Sequence, residues 1–407
     1  MSSDGSFVND IFDRALKNTS VFKNRNVLRS DYIPDKLYFR DDQIKIVAET
    51  ISPVLHGARP SNIFLYGKTG TGKTAVAKYV LTKLDQMTSS KSINVKFSYV
   101  NSRMAGTEYR VLYEIARSFG VSVPHTGLAI SEIFDRIFKA TSRERFSGIV
   151  VLDEIDFLVK NHGDDLLYEL TRASENLAEG FISLVGISND LSFKDYLDPR
   201  VLSSLSEEEL VFHPYTADEL KKILSERAKI GFQPNVVSES ALSLASALAA
   251  SEHGDARRAV DLIRVAGEMA ERQGKKLVDE TLIKEALLKI DQDRLSEALK
   301  SLPLHSKIVV LSVASLKDLL STGAVYDNYC VFCGKLGLSE LTPRRVSGLL
   351  NELSMLGVLS ADTTSKGRQG RSKRPKLLIP FSDIKLIFSN DPVLTDIMSK
   401  IKFNIDE

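Results

Sequence analysis

The stretch Gly67, Lys68, Thr69, Gly70, Thr71, Gly72, Lys73, Thr74 combines two things that phosphate chemistry needs. Glycines let backbone N–H groups turn toward an anion, and a lysine is followed at once by a hydroxyl. It fits G-x-x-x-x-G-K-[ST], with an apolar strand-like run before it and a helical pattern from Ala75 onward. In that setting Lys73 reaches the outer phosphates of a nucleoside triphosphate, and Thr74 is a ligand for Mg²⁺. Further along, Ile149 to Asp156 is an apolar run ending in acids. Asp153 at its carboxyl end is placed to hold Mg²⁺ through water. Glu154, next along, can polarise water for attack on a γ-phosphate.

Such groups act only if the chain brings them together. Short apolar runs at 62–67, 95–101, 148–154, 181–188 and 208–212 read as buried strands, with amphipathic stretches between most of them. Continuous apolar strands separated by helices predict a parallel, doubly wound α/β sheet. From Thr216 the pattern is helical only, opening with a capping box of Thr216 and Glu219 and with Gly231 just past the first helix. Three more helical segments reach about Asp291, and a third unit restarts near Pro303. The expected divisions are 1–214, 215–292 and 293–407.

The third unit has its own pattern. Thr342 is an N-cap with Pro343 at the first helical position, and Val346, Leu349, Leu350, Leu353 and Leu356 form one apolar face before Gly357. Arg344, Arg345, Ser347 and Asn351 are left for the outer face. Two helical segments precede it, at 303–320 and 324–336, so this third helix suits a helix-turn-helix that lays it in a major groove. "VLSADTT" (358–364) then reads as a strand, "SKGRQGRSKRPK" (365–376) as a basic loop, and "LLIPFS" (377–382) as a second strand. That is a winged helix. Lys366, Arg368, Arg371, Lys373 and Arg374 would contact phosphates, and an arginine at the tip could enter a minor groove. Net charge is only +1, so a nucleic-acid surface must be a local patch of this kind.

Cys330 and Cys333 form a lone C-x-x-C with no second pair, and read as small residues one turn apart on a helix. The start of the chain does not resemble a secretory signal, and the most continuous apolar stretch, about ten residues, is too short for a bilayer. The expectation is a cytoplasmic, nucleoid-associated protein with no membrane partner.

The phosphate loop and the "VLDE" strand together resemble those of AAA+ ATPases, and other stretches extend the likeness. "VGISND" resembles the strand ending in a polar sensor, which implies Asn189 near the γ-phosphate. "HGDARRA" resembles the start of the second-sensor helix, which implies that Arg257 reaches the phosphates from the lid. "YLDPRVLSSL" lies where such ATPases carry an arginine finger, implying Arg200; local pairing with the acids at 207–209 is the alternative. Ahead of the loop, "VLRSDYIPDKLYFRDDQI" resembles the amino-terminal box of archaeal replication initiators, relatives of the eukaryotic origin recognition complex and its helicase loader. Leu28, Tyr32, Pro34, Arg40 and Gln43 match it. The resemblance implies that Leu28 and Tyr32 lie over the nucleotide base, and that Tyr215 and Arg227 touch nucleotide from the lid. It also implies a DNA-touching helical element after the second strand, where Arg103 and Arg110 stand.

The resemblance covers nearly the whole chain. It implies a P-loop AAA+ core, an all-α lid and a C-terminal winged helix that bind ATP or ADP with Mg²⁺. It further implies sequence-preferring binding of double-stranded origin DNA, with ATP binding and slow hydrolysis as a switch for helicase loading. The implied partners are paralogous initiator subunits and the replicative helicase. A nucleotide-gated winged-helix transcriptional regulator, and a clamp-loader or transposition-helper ATPase, are the alternatives.

Overall fold

The computed structural model describes residues 20–175, 177–205, 208–316, 321–365, 371–389 and 391–394. The chain divides into two compact units, 1–286 and 287–407.

In the first unit β1 (Ile63–Tyr66), β2 (Val95–Asn101), β3 (Ser147–Asp153), β4 (Phe181–Ser188) and β5 (Glu208–Val211) form one sheet in the order β2-β3-β4-β1-β5. Every pairing is parallel. Helix α1 (Asp41–Ile51) precedes β1, and helices α2 (Lys73–Ser90), α3 (Ser102–Ala105), α4 (Glu108–Ser118), α5 (Ile130–Glu144), α6 (Ile155–His162), α7 (Asp165–Thr171) and α8 (Pro199–Leu205) connect the strands. All residues of β3 and β4 are buried, because apolar side chains pack on both faces of these central strands. Val150 and Leu152 join one apolar cluster with Leu112 and Ile137, while Ile149 and Val151 join the other with Val76 and Leu65. The two edge strands depart from the burial expected for them. In β2 only Ser98 and Val100 are buried, and in β5 only Leu210 is. Each has a single neighbour in the sheet, so its remaining residues keep contact with solvent.

The lid follows as α9 (Ala217–Gly231), α10 (Glu239–Ser251), α11 (Ala256–Arg272) and α12 (Glu280–Ser301). The capping box forms: Glu219 N–H donates to the Thr216 hydroxyl, and Thr216 N–H donates to the Glu219 carboxylate at 2.8 Å. α9 runs through Gly231 rather than stopping before it, since Leu28 packs where a side chain at 231 would stand, 2.9 Å from its Cβ. α12 runs on past residue 286, where the first unit ends, and its Leu299 belongs to the apolar cluster of the second unit.

Phe22 and Phe232 pack with ring centroids 4.8 Å apart and planes tilted by 31°, both against Gly267 of α11. A Cβ at 267 would lie 2.6 Å from both rings. Gly267→Val is therefore expected to destabilise this unit by about 2 kcal/mol, an overpacking cost, and to lower the denaturant midpoint of its unfolding. An unchanged midpoint would mean that the two rings move aside freely.

The second unit holds α13 (Leu304–Ala314), α14 (Thr322–Leu336), α15 (Pro343–Met355), the antiparallel pair β6 (Leu359–Ser365) and β7 (Arg371–Leu377), and α16 (Phe381–Phe388). Cys330 and Cys333 lie on α14 as free thiols. The second wing strand corrects the sequence reading. It is "RSKRPKL", not "LLIPFS", because the register runs from Leu359↔Leu377 to Ser365↔Arg371 and so consumes half of the basic stretch. Phe381 and Ser382 instead open α16. Lys366 and Arg368 lie outside the described residues. Arg371 and Lys373 belong to β7 by backbone, and Arg374 is exposed on it. Among the described residues no helix is long and apolar enough to cross a membrane.

Candidate functional site

Parallel pairing ends the strands on one edge of the sheet, and the register decides which residues meet there. Asn101 of β2 lies beside Asp153 of β3, which lies beside Ile187 of β4, two residues before Asn189. Tyr66 at the end of β1 lies beside Ser188, and the phosphate loop leaves from it. A cavity of about 560 Å³ opens at this edge. Its lining includes Gly70, Gly72, Lys73, Thr74 and Ala75 from the loop, Asp153, Glu154 and Asn189 from the strand ends, and Tyr215, Arg227 and Arg257 from the lid. Residues 29–38 contribute another side, Tyr32 among them.

The loop is built for an anion. Gly70 and Gly72 take φ of 70° and 96°, a region costly for other residues, and a Cβ at 70 would fall 1.7 Å from an Asp255 carboxylate oxygen. Lys73 is only 4 % exposed, and its ammonium donates to the carbonyls of Gly67 and Lys68 at 2.8 and 2.7 Å. Burial pushes its pKa down to about 8, partly offset by Asp153. A buried ammonium held only by two carbonyls fits a phosphate.

The acids are ordered in detail. Asp153 Oδ2 accepts from Thr74 Oγ1 at 2.7 Å and from the Tyr99 hydroxyl at 2.6 Å, while Oδ1 accepts from the Glu154 N–H at 2.9 Å. Thr74 and Asp153 thus form the joined hydroxyl–carboxylate donor set that suits a hard cation beside a triphosphate. Glu154 sits at φ 53°, the strained left-handed region, as the residue entering α6. Its carboxylate accepts from the Asn101 amide at 3.2 Å and pairs with Arg103 at 3.7 Å.

Several residues fall elsewhere than expected. Leu28 is fully buried against Gly231 and does not line the cavity, because its apolar side chain fills the space between the amino-terminal segment and α9. Arg227 donates to the carbonyls of Val27 and Tyr32, so it fastens residues 27–32 to the lid at the cavity wall. Arg200 is absent from the cavity lining and makes a two-pronged contact with Asp198 at 3.0 and 3.2 Å; Glu207, one of the acids named as its alternative partners, lies outside the described residues. Arg103 and Arg110 are exposed on α3 and α4.

Three contributors escaped the site reading. Tyr99 and Asn101 share one face of β2, and only the register shows that this face meets Asp153. Arg40, noted as a box residue, is 5 % exposed and donates to Thr71 O at 2.9 Å and His213 O at 2.8 Å. Its guanidinium lies 3.7 Å from the Tyr215 ring centroid, tying the phosphate loop to the core–lid hinge.

On the second unit, Arg344 and Arg345 are exposed in the first turn of α15, and Thr342 caps the helix by accepting from Arg345 N–H. Ser347 is half-buried, and Arg345 pairs with Glu352 at 3.2 Å.

Comparison with known proteins agrees with this architecture. Residues 57–192 match the AAA domain family, 221–287 the Cdc6 AAA+ ATPase-type lid domain, and 297–386 the CDC6 C-terminal winged helix domain. The ORC1-type DNA replication protein of Thermococcus onnurineus is 46 % identical over 406 residues, 97 % of each chain. The chain belongs to the ORC1-type DNA replication proteins. The counterpart from Pyrococcus abyssi is 47 % identical over 397 residues, 95 % of each chain. Among solved structures of the family, Aeropyrum pernix ORC1 in complex with DNA superposes with a TM-score of 0.84 at 46 % identity, covering 93 % of this chain and 99 % of that one. The AAA+ core, lid and winged helix are therefore those of an ORC1-type initiator.

Proposed function

We propose that this chain binds double-stranded origin DNA with sequence preference and uses ATP binding and slow hydrolysis as a switch for helicase loading. The observation that carries the reading is one chain holding both a complete nucleotide cavity and a winged helix with exposed arginines in the first turn of α15. The fit to a relative solved in complex with DNA supports the same surface.

At the nucleotide, Lys73 would pair with the outer phosphates, and Arg257 would approach them from the first turn of α11. Asn189 and Glu154 would orient and polarise the attacking water. Thr74 and Asp153 would hold Mg²⁺, which would neutralise charge on the outer phosphates. One oxygen of Glu154 accepts from Asn101 and the other pairs with the exposed Arg103, contacts that compete with water for its lone pairs and so favour slow hydrolysis. They also join the catalytic acid to α3, one of the elements assigned to DNA. Arg200 is assigned to a neighbouring protomer's nucleotide, since it is exposed and does not line its own cavity.

Nuclease footprinting of candidate origin duplexes, with ATP, ADP and no nucleotide, tests the reading. A protected site on origin DNA whose extent changes with the nucleotide is expected. Protection spread evenly over random duplex would sink it, and protection confined to promoters would favour the transcriptional regulator.

A further inference from the structure

The hydroxyl of Tyr99 is committed to the acid that would hold the cation. It donates to Asp153 Oδ2 at 2.6 Å, the same oxygen that accepts from Thr74. The ring is fixed from its other side by Lys78, one turn along α2 from the phosphate loop, with Nζ 4.0 Å from the ring centroid. With the Glu154 N–H on Oδ1, the carboxylate is held by three donors from three directions. These three donors leave one lone pair on Oδ1, and Asp153 lines the cavity.

A carboxylate with one donor less can rotate about its Cβ–Cγ bond and present either oxygen. Held as it is here, it presents one. We propose that Tyr99 is a positioning residue for Asp153, fixing the carboxylate so that Thr74 and the remaining lone pair meet Mg²⁺ in one geometry. This rests on the reading of Thr74 and Asp153 as the Mg²⁺ site. Tyr99 lines the cavity, but its hydroxyl is committed to Asp153, so its effect on the cation runs through that carboxylate. Partners of this kind around a metal set affinity as well as geometry, by about tenfold or more on removal.

The test is fluorescent ADP binding to the full chain, titrated with Mg²⁺ and repeated in EDTA. Tyr99→Phe keeps the ring and its contact with Lys78, and removes only the hydroxyl. The half-saturating Mg²⁺ concentration is expected to rise about tenfold, with affinity in EDTA unchanged within twofold. Lys78→Met, which unpins the ring and keeps the hydroxyl, should produce a smaller rise of about threefold by the same route. It serves if the first variant does not fold. An unchanged Mg²⁺ titration in both variants overturns the proposal, as does an equal loss of affinity with and without Mg²⁺. Asp153→Asn separates the two levels. If it abolishes the Mg²⁺ response while Tyr99→Phe does nothing, the metal site stands and only the role of Tyr99 falls. If the wild-type chain shows no Mg²⁺ response, both fall.

Discussion

Glu154→Gln is expected to bind ATP about as well as the unaltered chain while its hydrolysis falls by about a hundredfold or more, the usual loss when a general base is removed. Glutamine has the same length and shape, so the contact with Asn101 can persist through its amide, and α6 keeps its start. Nucleotide affinity depends on Lys73, the loop and the lid, none of which touches this side chain. What is lost is the negative charge that draws a proton from water. Single-turnover phosphate release, with binding measured in parallel, checks the prediction. Turnover within threefold of the unaltered chain would remove Glu154 from the catalytic role. The left-handed backbone at this residue supports the assignment independently, because strained non-glycine positions are kept where geometry matters more than stability.

The other large effect is expected on DNA. Replacing Arg344 and Arg345 together by alanine should reduce the preference for a bound origin duplex over random duplex by about tenfold or more, since each arginine pair with a guanine edge contributes about 1–3 kcal/mol of discrimination. Both lie in the first turn of α15, the part of such a helix that enters the groove. To reach a base, Arg345 would give up its contact with Glu352 at little cost, because an exposed pair of this kind contributes at most about 1 kcal/mol. Arg374→Ala on β7 is the comparison. It should weaken both duplexes alike and reduce the salt dependence by about one phosphate contact. Fluorescence anisotropy on both duplexes at several salt concentrations reads both effects. Equal loss on both duplexes from the α15 variant would refute base reading by that helix.

Much of this architecture is local in origin and could be read without coordinates. Apolar strands that stay apolar at every position imply cover on both faces, and β3 and β4 are buried throughout. Capping residues announce helices, as Thr216 and Thr342 do. The phosphate loop is a contiguous motif whose chemistry is carried by its own backbone, so its spacing was sufficient. The wing was legible as a hairpin around a basic stretch, but its second strand was misplaced. "LLIPFS" looked like a strand because it is apolar; "RSKRPKL" became one because the ladder with β6 demanded partners. In a two-stranded ribbon with solvent on one face, pairing decides more than hydropathy. Leu28 fails for a related reason. A box match places the segment, but cannot say which of its side chains turn to the cavity and which to the core.

The sequence by itself determined the order of the elements, the loop that cradles phosphate, the acids that follow β3 and the helix that presents arginines, because each is set by contacts within a few residues. The tertiary structure decided what those groups touch. Tyr99 and Asn101 reach Asp153 and Glu154 only through the β2–β3 register, and Arg40 reaches Thr71 and His213 across long stretches of chain. It also separated Arg200 from its own cavity. Hydrogen bonds between residues distant in sequence depend on how strands align and helices pack, and no spacing along the chain encodes that alignment.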